Sequence, residues 1–110
     1  MIAIATEKPK FQPGELVFHK RYNYRGVIVA VDRVCLAGER WYDSNRTQPA
    51  RNQPWYHVLV DGTDGTTYVA QSNLRPDDRL DPVEHPLVDQ FFDDFDGERY
   101  ERNDREWPGW

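Results

Sequence analysis

The chain has 110 residues, of which 38% are hydrophobic, 14% aromatic and 30% charged, and it carries a formal charge of −5. That length leaves room for one core, and the aromatic residues must fill much of it. A single cysteine, Cys35, excludes an intramolecular disulfide and a thiol-paired zinc site, and it fits a reducing, cytoplasmic setting.

Residues 1–10 are read as a flexible lead-in. Their apolar run ends at Ala5, short of the ~7 to 15 residues of a signal-peptide core. No stretch approaches the ~18 apolar residues of a membrane span, so no membrane role is expected. Pro13 and Gly14 then make a turn before a short apolar strand at 16–19. The basic, aromatic turn HKRYNYR, residues 19–25, leads into the strand GVIVAVD. Neither face of that strand is polar, which predicts cover on both sides. Gly26 marks a bulge or a close backbone approach.

Residues 33–54 are long for a connection in a small domain. A short helical turn is expected around residues 36–41, with Trp41 pinning it to the sheet. Arg40, Arg46 and Arg51 give this insertion a positive face, and Pro49 and Pro54 restrict its path. Residues 55–60 and 66–70 read as a β-hairpin, with Gly62 and Gly65 available for positive φ in the loop. A period of two puts Tyr56, Val58 and Val60 on the core face, and Trp55, His57 and Leu59 on the other. A last short strand follows at Leu74 and Arg75.

The stretch EHPLVDQFFDDFDG predicts one C-terminal helix, opened by Pro86 and closed by Gly97. Its apolar stripe is Leu87, Val88, Phe91, Phe92 and Phe95, which should dock on the sheet or on a second subunit. Asp93, Asp94 and Asp96 would crowd the helix's negative end at about 0.3–1 kcal/mol each, which points to fraying there or to a basic partner. Residues 101–110 form an acidic tail without periodicity. It is either disordered or a docking peptide anchored by Trp107 and Trp110.

Charge divides unevenly along the chain. Residues 1–76 hold ten Lys/Arg and seven Asp/Glu, a net +3, whereas residues 77–110 hold four Arg and twelve Asp/Glu, a net −8. A basic body suits an anion, and an acidic tail suits a basic partner or shields the body.

Catalytic chemistry finds little support. His19, His57 and His85 lack metal-ligand spacing, and a calcium loop aligned on Gly97 would begin at Phe92 and end at Asn103. Cys35 sits among apolar neighbours, as an inert core thiol does. No nucleophile elbow, phosphate loop or dinucleotide fingerprint occurs. No catalytic residue, metal or cofactor is therefore expected, and His57 reads as a strand residue. In HKRYNYR, by contrast, Lys20, Arg21 and Arg25 can neutralise phosphates while Tyr22 and Tyr24 stack on bases. The competing reading is an ordinary solvated turn.

Four ordered blocks, FQPGELVFHKRYNYRGVIVAVD, QPWYHVLVD, TYVAQSNL and EHPLVDQFFDDFDGERY, together resemble the YccV-like, or hemimethylated-DNA-binding, domain family. This family includes the bacterial heat-shock protein HspQ and the ends of certain eukaryotic F-box proteins. The resemblance runs from about Phe11 to Tyr100. It implies a mainly β fold: a small antiparallel SH3-like β-barrel without enzymatic activity, here with one C-terminal helix and a long inserted loop. It also implies two roles, binding of hemimethylated DNA and service as an adaptor or specificity factor in regulated proteolysis. Its signature positions here are Gly14, Tyr24, Gly26, Pro54, Tyr56, His57, Tyr68, Asn73, His85 and Pro86, read as mainly structural.

The leading expectation is a DNA-binding module using Lys20, Arg21, Tyr22, Tyr24, Arg25, Arg46 and Arg51. The alternative is an adaptor that grips a chaperone, protease or other assembly through Phe91, Phe92, Phe95, Trp107 and Trp110. A third is a homo-oligomer that buries the helix stripe between copies.

Overall fold

The computed structural model describes residues 7–109. Trp110, expected as a docking anchor, and residues 1–6 of the lead-in lie outside the described residues. The architecture is mainly β, as expected. Strands β1 (Leu16–His19), β2 (Arg25–Asp32), β3 (Trp55–Val60), β4 (Thr66–Ala70) and β5 (Leu74–Pro76) form one antiparallel sheet in the order β4-β3-β2-β1-β5. A six-residue helix, α1 (Glu39–Ser44), lies in the long insertion. A single turn, α2 (Val88–Phe91), precedes a second, two-stranded sheet of β6 (Phe92–Phe95) and β7 (Tyr100–Arg102).

The hydrogen-bonded ladder does not close into a barrel, because β4 and β5 are left as edges. One 3₁₀ turn, Gln71–Asn73, nevertheless carries the chain directly from β4 to β5. Four residue steps reach at most about 14 Å. The sheet must therefore curl until its two edges approach each other across a seam.

Both faces of β2 are buried. Val27 and Val29 pack with Leu16, Leu59, Phe91, Phe92 and Tyr100, while Ile28 packs on the opposite face with Phe11, Tyr56 and Val58. Gly26 is a close approach: a Cβ there would strike the Leu59 carbonyl and the Val58 side chain. The bulge in this strand falls instead at Val29, where the β2–β3 register shifts. The hairpin has the predicted bounds. Its first strand, β3, departs from the one-sided expectation, since Trp55 and Leu59 are as buried as Tyr56 and Val58, and Val60 is only half-buried. The insertion covers Trp55, and the β6–β7 sheet covers Leu59.

The predicted C-terminal helix is corrected to one helical turn followed by a hairpin. Phe92 is already extended, at φ −131° and ψ 141°, and β6 pairs β7 through Phe92–Arg102 and Phe95–Tyr100. Aromatic side chains favour a pleated, half-buried surface. Gly97, at φ +97°, serves the hairpin turn rather than a helix cap, while the Asp96 carboxylate accepts the Glu98 and Arg99 amides. The acidic run thus avoids the negative end of a long helix.

This correction removes the docking stripe. Phe91 and Phe92 are 4% and 5% exposed and belong to the core, and Phe95 packs at 4.6 Å on the Tyr100 ring. They fasten the small sheet to the large one instead of facing a partner. Gly14, at φ +99°, completes the join, because its amide reaches the Ile28 carbonyl and its carbonyl accepts the Tyr100 amide. After β7, the Asn103 amide bonds the Phe91 carbonyl, and Trp107 packs 5.2 Å from Phe91 and 5.9 Å from His57.

Candidate nucleic-acid interface

A groove of about 300 Å³ follows the open edge strand β4. One bank comes from the β1–β2 turn: His19, Tyr22 and Tyr24, with the His19 ring 4.8 and 5.0 Å from the two tyrosines. The other bank holds Trp41, Trp55 and Tyr68, packed at 5.2–6.2 Å from one another. His57 and Trp107 continue that second bank. Alternation along β4 explains the two banks, since Val69 joins the Tyr24 side and Tyr68 and Ala70 join the tryptophan side. Tyr24 Oη and Thr67 Oγ1 stand 2.7 Å apart and tie the turn to the strand. Asn45, Thr47, Thr66 and Asn73 add neutral polar groups, and no Asp, Glu, Lys or Arg is among the described lining residues.

Partly buried hydrogen bonds fix the ring orientations. His19 Nδ1 accepts the Arg21 and Tyr22 amides at 3.1 and 3.0 Å, so its proton sits on Nε2. That clamp folds the turn, with Asn23 taking the left-handed conformation at φ +58°, and leaves Lys20 and Arg21 exposed. Burial, and then the Arg21 charge, hold the His19 pKa below its ordinary value. On the far bank, Asp32 Oδ2 accepts the Tyr68 hydroxyl at 2.7 Å and lies 3.2 Å from His57 Nε2. Burial lowers the His57 pKa and outweighs the opposing pull of Asp32. Burial also pushes the Tyr68 hydroxyl well above its ordinary value, with Asp32 reinforcing it. Both groups are therefore neutral donors near pH 7.

The sequence-predicted site residues separate into two groups. Lys20 and Arg21 sit in the chain between the lining residues His19 and Tyr22, and Arg46 between Asn45 and Thr47, so these three exposed cations adjoin the groove, as do exposed Arg40 beside Trp41 and exposed Glu106 beside Trp107. Tyr22 and Tyr24 line it. Arg25 is corrected: its side chain is 7% exposed and bonds Asp61 and Asp77 at 2.9 Å, with the carbonyls of Asp81 and Pro82 as further acceptors. Burial opposes its charge, but the two carboxylates more than offset this and raise its pKa. Arg51 is corrected as well. It is half-buried, bonds the Cys35 and Ala37 carbonyls, and lies 4.8 Å over the Tyr42 ring, bracing the insertion.

Sequence periodicity missed the groove's far bank, which β3, β4, α1 and the tail assemble from distant positions. One signal was present: four of the family signature positions, Tyr24, His57, Tyr68 and Asn73, all line the groove. Two other signature residues are structural. Tyr56 Oη bonds Gln71, and His85 Nε2 donates to the Gly65 carbonyl while its Nδ1 accepts the Leu87 amide. Among the described residues, no group of three His, Cys, Asp or Glu side chains could hold a metal ion.

F-box only protein 21 from Homo sapiens and from Mus musculus is 35% identical over 91 residues, which cover 79% of this chain and 14% of each relative. The same protein from Pongo abelii matches equally. The chain therefore spans about 14% of the length of these curated relatives. A family model described as "Hemimethylated DNA-binding protein YccV like" matches residues 9–99, and the chain belongs to that family.

Proposed function

We propose that this chain is a non-catalytic DNA-binding module, working in a reducing compartment such as the cytoplasm, that meets a duplex with the rim of the β4 groove. One observation carries the reading: Lys20, Arg21 and Arg46 flank an aromatic groove whose described lining has no carboxylate. Cations neutralise phosphates and fix the register, while rings and amides address bases. The family's description supports the choice of ligand we propose, a duplex methylated on one strand.

The test is fluorescence anisotropy with methylated, hemimethylated and unmethylated duplexes at two salt concentrations. Replacing Lys20, Arg21 and Arg46 together by Ala should weaken binding to all three duplexes. It should also flatten the dependence of log K on log salt by up to about 2.7, at ~0.9 for each phosphate no longer neutralised. Equal, negligible binding of every duplex by the unaltered protein would refute the proposal.

A second reading rests on a different surface. Asp93, Asp94, Asp96, Glu98 and Glu101 are all exposed on the β6–β7 hairpin. A patch of that sign repels phosphate and suits a basic protein surface, as an adaptor docking on a chaperone, a protease or a larger assembly requires.

A further inference from the structure

We propose that the β4 groove is the seat of a single nucleobase turned out of a DNA duplex, an inference that rests on the DNA-binding reading above. A paired base shows only its edge in a groove of the helix, because its faces are covered by its neighbours. Such a base has no use for a recess walled by rings on two banks. An unstacked base does: Tyr22 and Tyr24 stand on one side and Trp41 and Tyr68 on the other. Aromatic side chains stack on any base, since every base has a π-face.

Size and polarity agree. The groove's volume of about 300 Å³ equals that of about ten waters at ~30 Å³ each, and because covalently bonded ring atoms pack more closely than waters, one planar base fits with solvent beside it. Asn45 and Asn73 bring paired donor and acceptor groups, the side-chain chemistry that reads a base edge. The uncharged lining accepts a neutral ring, whereas a phosphate seated there would meet no cation. The cations lie one residue outside the lining, at Lys20, Arg21 and Arg46, where the phosphates on either side of a turned-out nucleotide would run. Extrusion costs unstacking and unpairing, and it costs least where the pair is already broken.

The experiment uses the full chain and a hemimethylated duplex carrying 5-iodouracil at one position, either paired or opposite a mismatched base. Binding is followed by anisotropy, and irradiated complexes are digested and mapped by mass spectrometry. The mismatched duplex should bind about tenfold more tightly than the paired one, and the cross-link should fall on Tyr22, Tyr24, Trp41 or Tyr68. Tyr22→Ala, at a side chain 44% exposed and so outside the core, should lose most of the mismatch preference. Equal affinity for paired and mismatched duplexes, with cross-links confined to residues outside the groove, would overturn the inference and leave DNA binding standing. Single strands bound more tightly than the mismatched duplex would also overturn it. Failure to bind any duplex would overturn both readings.

Discussion

Arg25→Met distinguishes a phosphate contact from a buried strut. In the folded protein the guanidinium reaches Asp77 through Nε at 3.0 Å and Nη2 at 2.9 Å, and Asp61 through Nη1 at 2.9 Å, with side-chain exposures of 7% for Arg25 and 3% for Asp77. Methionine keeps much of the stem's volume but strands two carboxylates, one of them deeply buried. Removing one partner of such a pair costs about 3–5 kcal/mol, a large share of the ~5–15 kcal/mol that holds a domain together. The assay is urea unfolding at pH 7 and again below pH 4. Partial burial opposes ionisation of Asp61, yet the Glu84 amide and Arg25 hold its carboxyl below the ordinary 3.8. Its contribution is thus present above that value and is lost as pH falls through the lowered one. The gap between wild type and variant should therefore narrow in acid, where the stranded Asp61 carboxylate takes up a proton. Adding Asp77→Asn to Arg25→Met should recover part of the loss at pH 7. A variant within about 1 kcal/mol of wild type, or one of normal stability with weakened DNA binding, would refute the strut and return Arg25 to the nucleic-acid surface.

Two further outcomes are expected. Gly14→Val forces a branched residue to φ +99° and drives its Cβ into the Tyr100 carbonyl, so it should cost at least about 1–3 kcal/mol from the backbone alone. Limited proteolysis should then cut first within residues 92–102, and a wild-type melting curve with unchanged cleavage would contradict the join. The second outcome concerns pH. Burial depresses both His19 and His57 below the ordinary 6.5, so their contribution to stability is full above that value and is lost as pH falls through the depressed ones. The urea midpoint should drop between pH 7 and pH 5, and a flat profile would show that the two rings are not held neutral.

The two charged surfaces have separate physical origins. In the β1–β2 turn, the His19 clamp uses backbone amides and turns Lys20 and Arg21 outward. In the β6–β7 hairpin, Asp96 accepts two amides of the turn and Asp94 accepts the Phe95 amide, yet these carboxylates and their neighbours remain exposed. A net charge of −5 therefore describes neither face.

The local pattern of the sequence determined the elements whose signal is itself local. The unbroken apolar run of β2 required cover on both faces, the loop with Gly62 fixed the β3–β4 hairpin, and HKRYNYR placed cations and rings in one turn. The tertiary structure decided what depends on distant partners. Leu87, Val88, Phe91, Phe92 and Phe95 satisfy helical spacing as well as a turn followed by a strand. Pairing with Tyr100–Arg102 selects the strand, because a short segment takes the state that buries it best. Arg25 and Arg21 look alike in sequence, yet Asp61 and Asp77 draw one inward and leave the other in solvent. The far bank of the groove, and its meeting with the near one, belong to this second class. Its banks meet only because the sheet curls, bringing rings separated by tens of residues along the chain to the two sides of one edge strand.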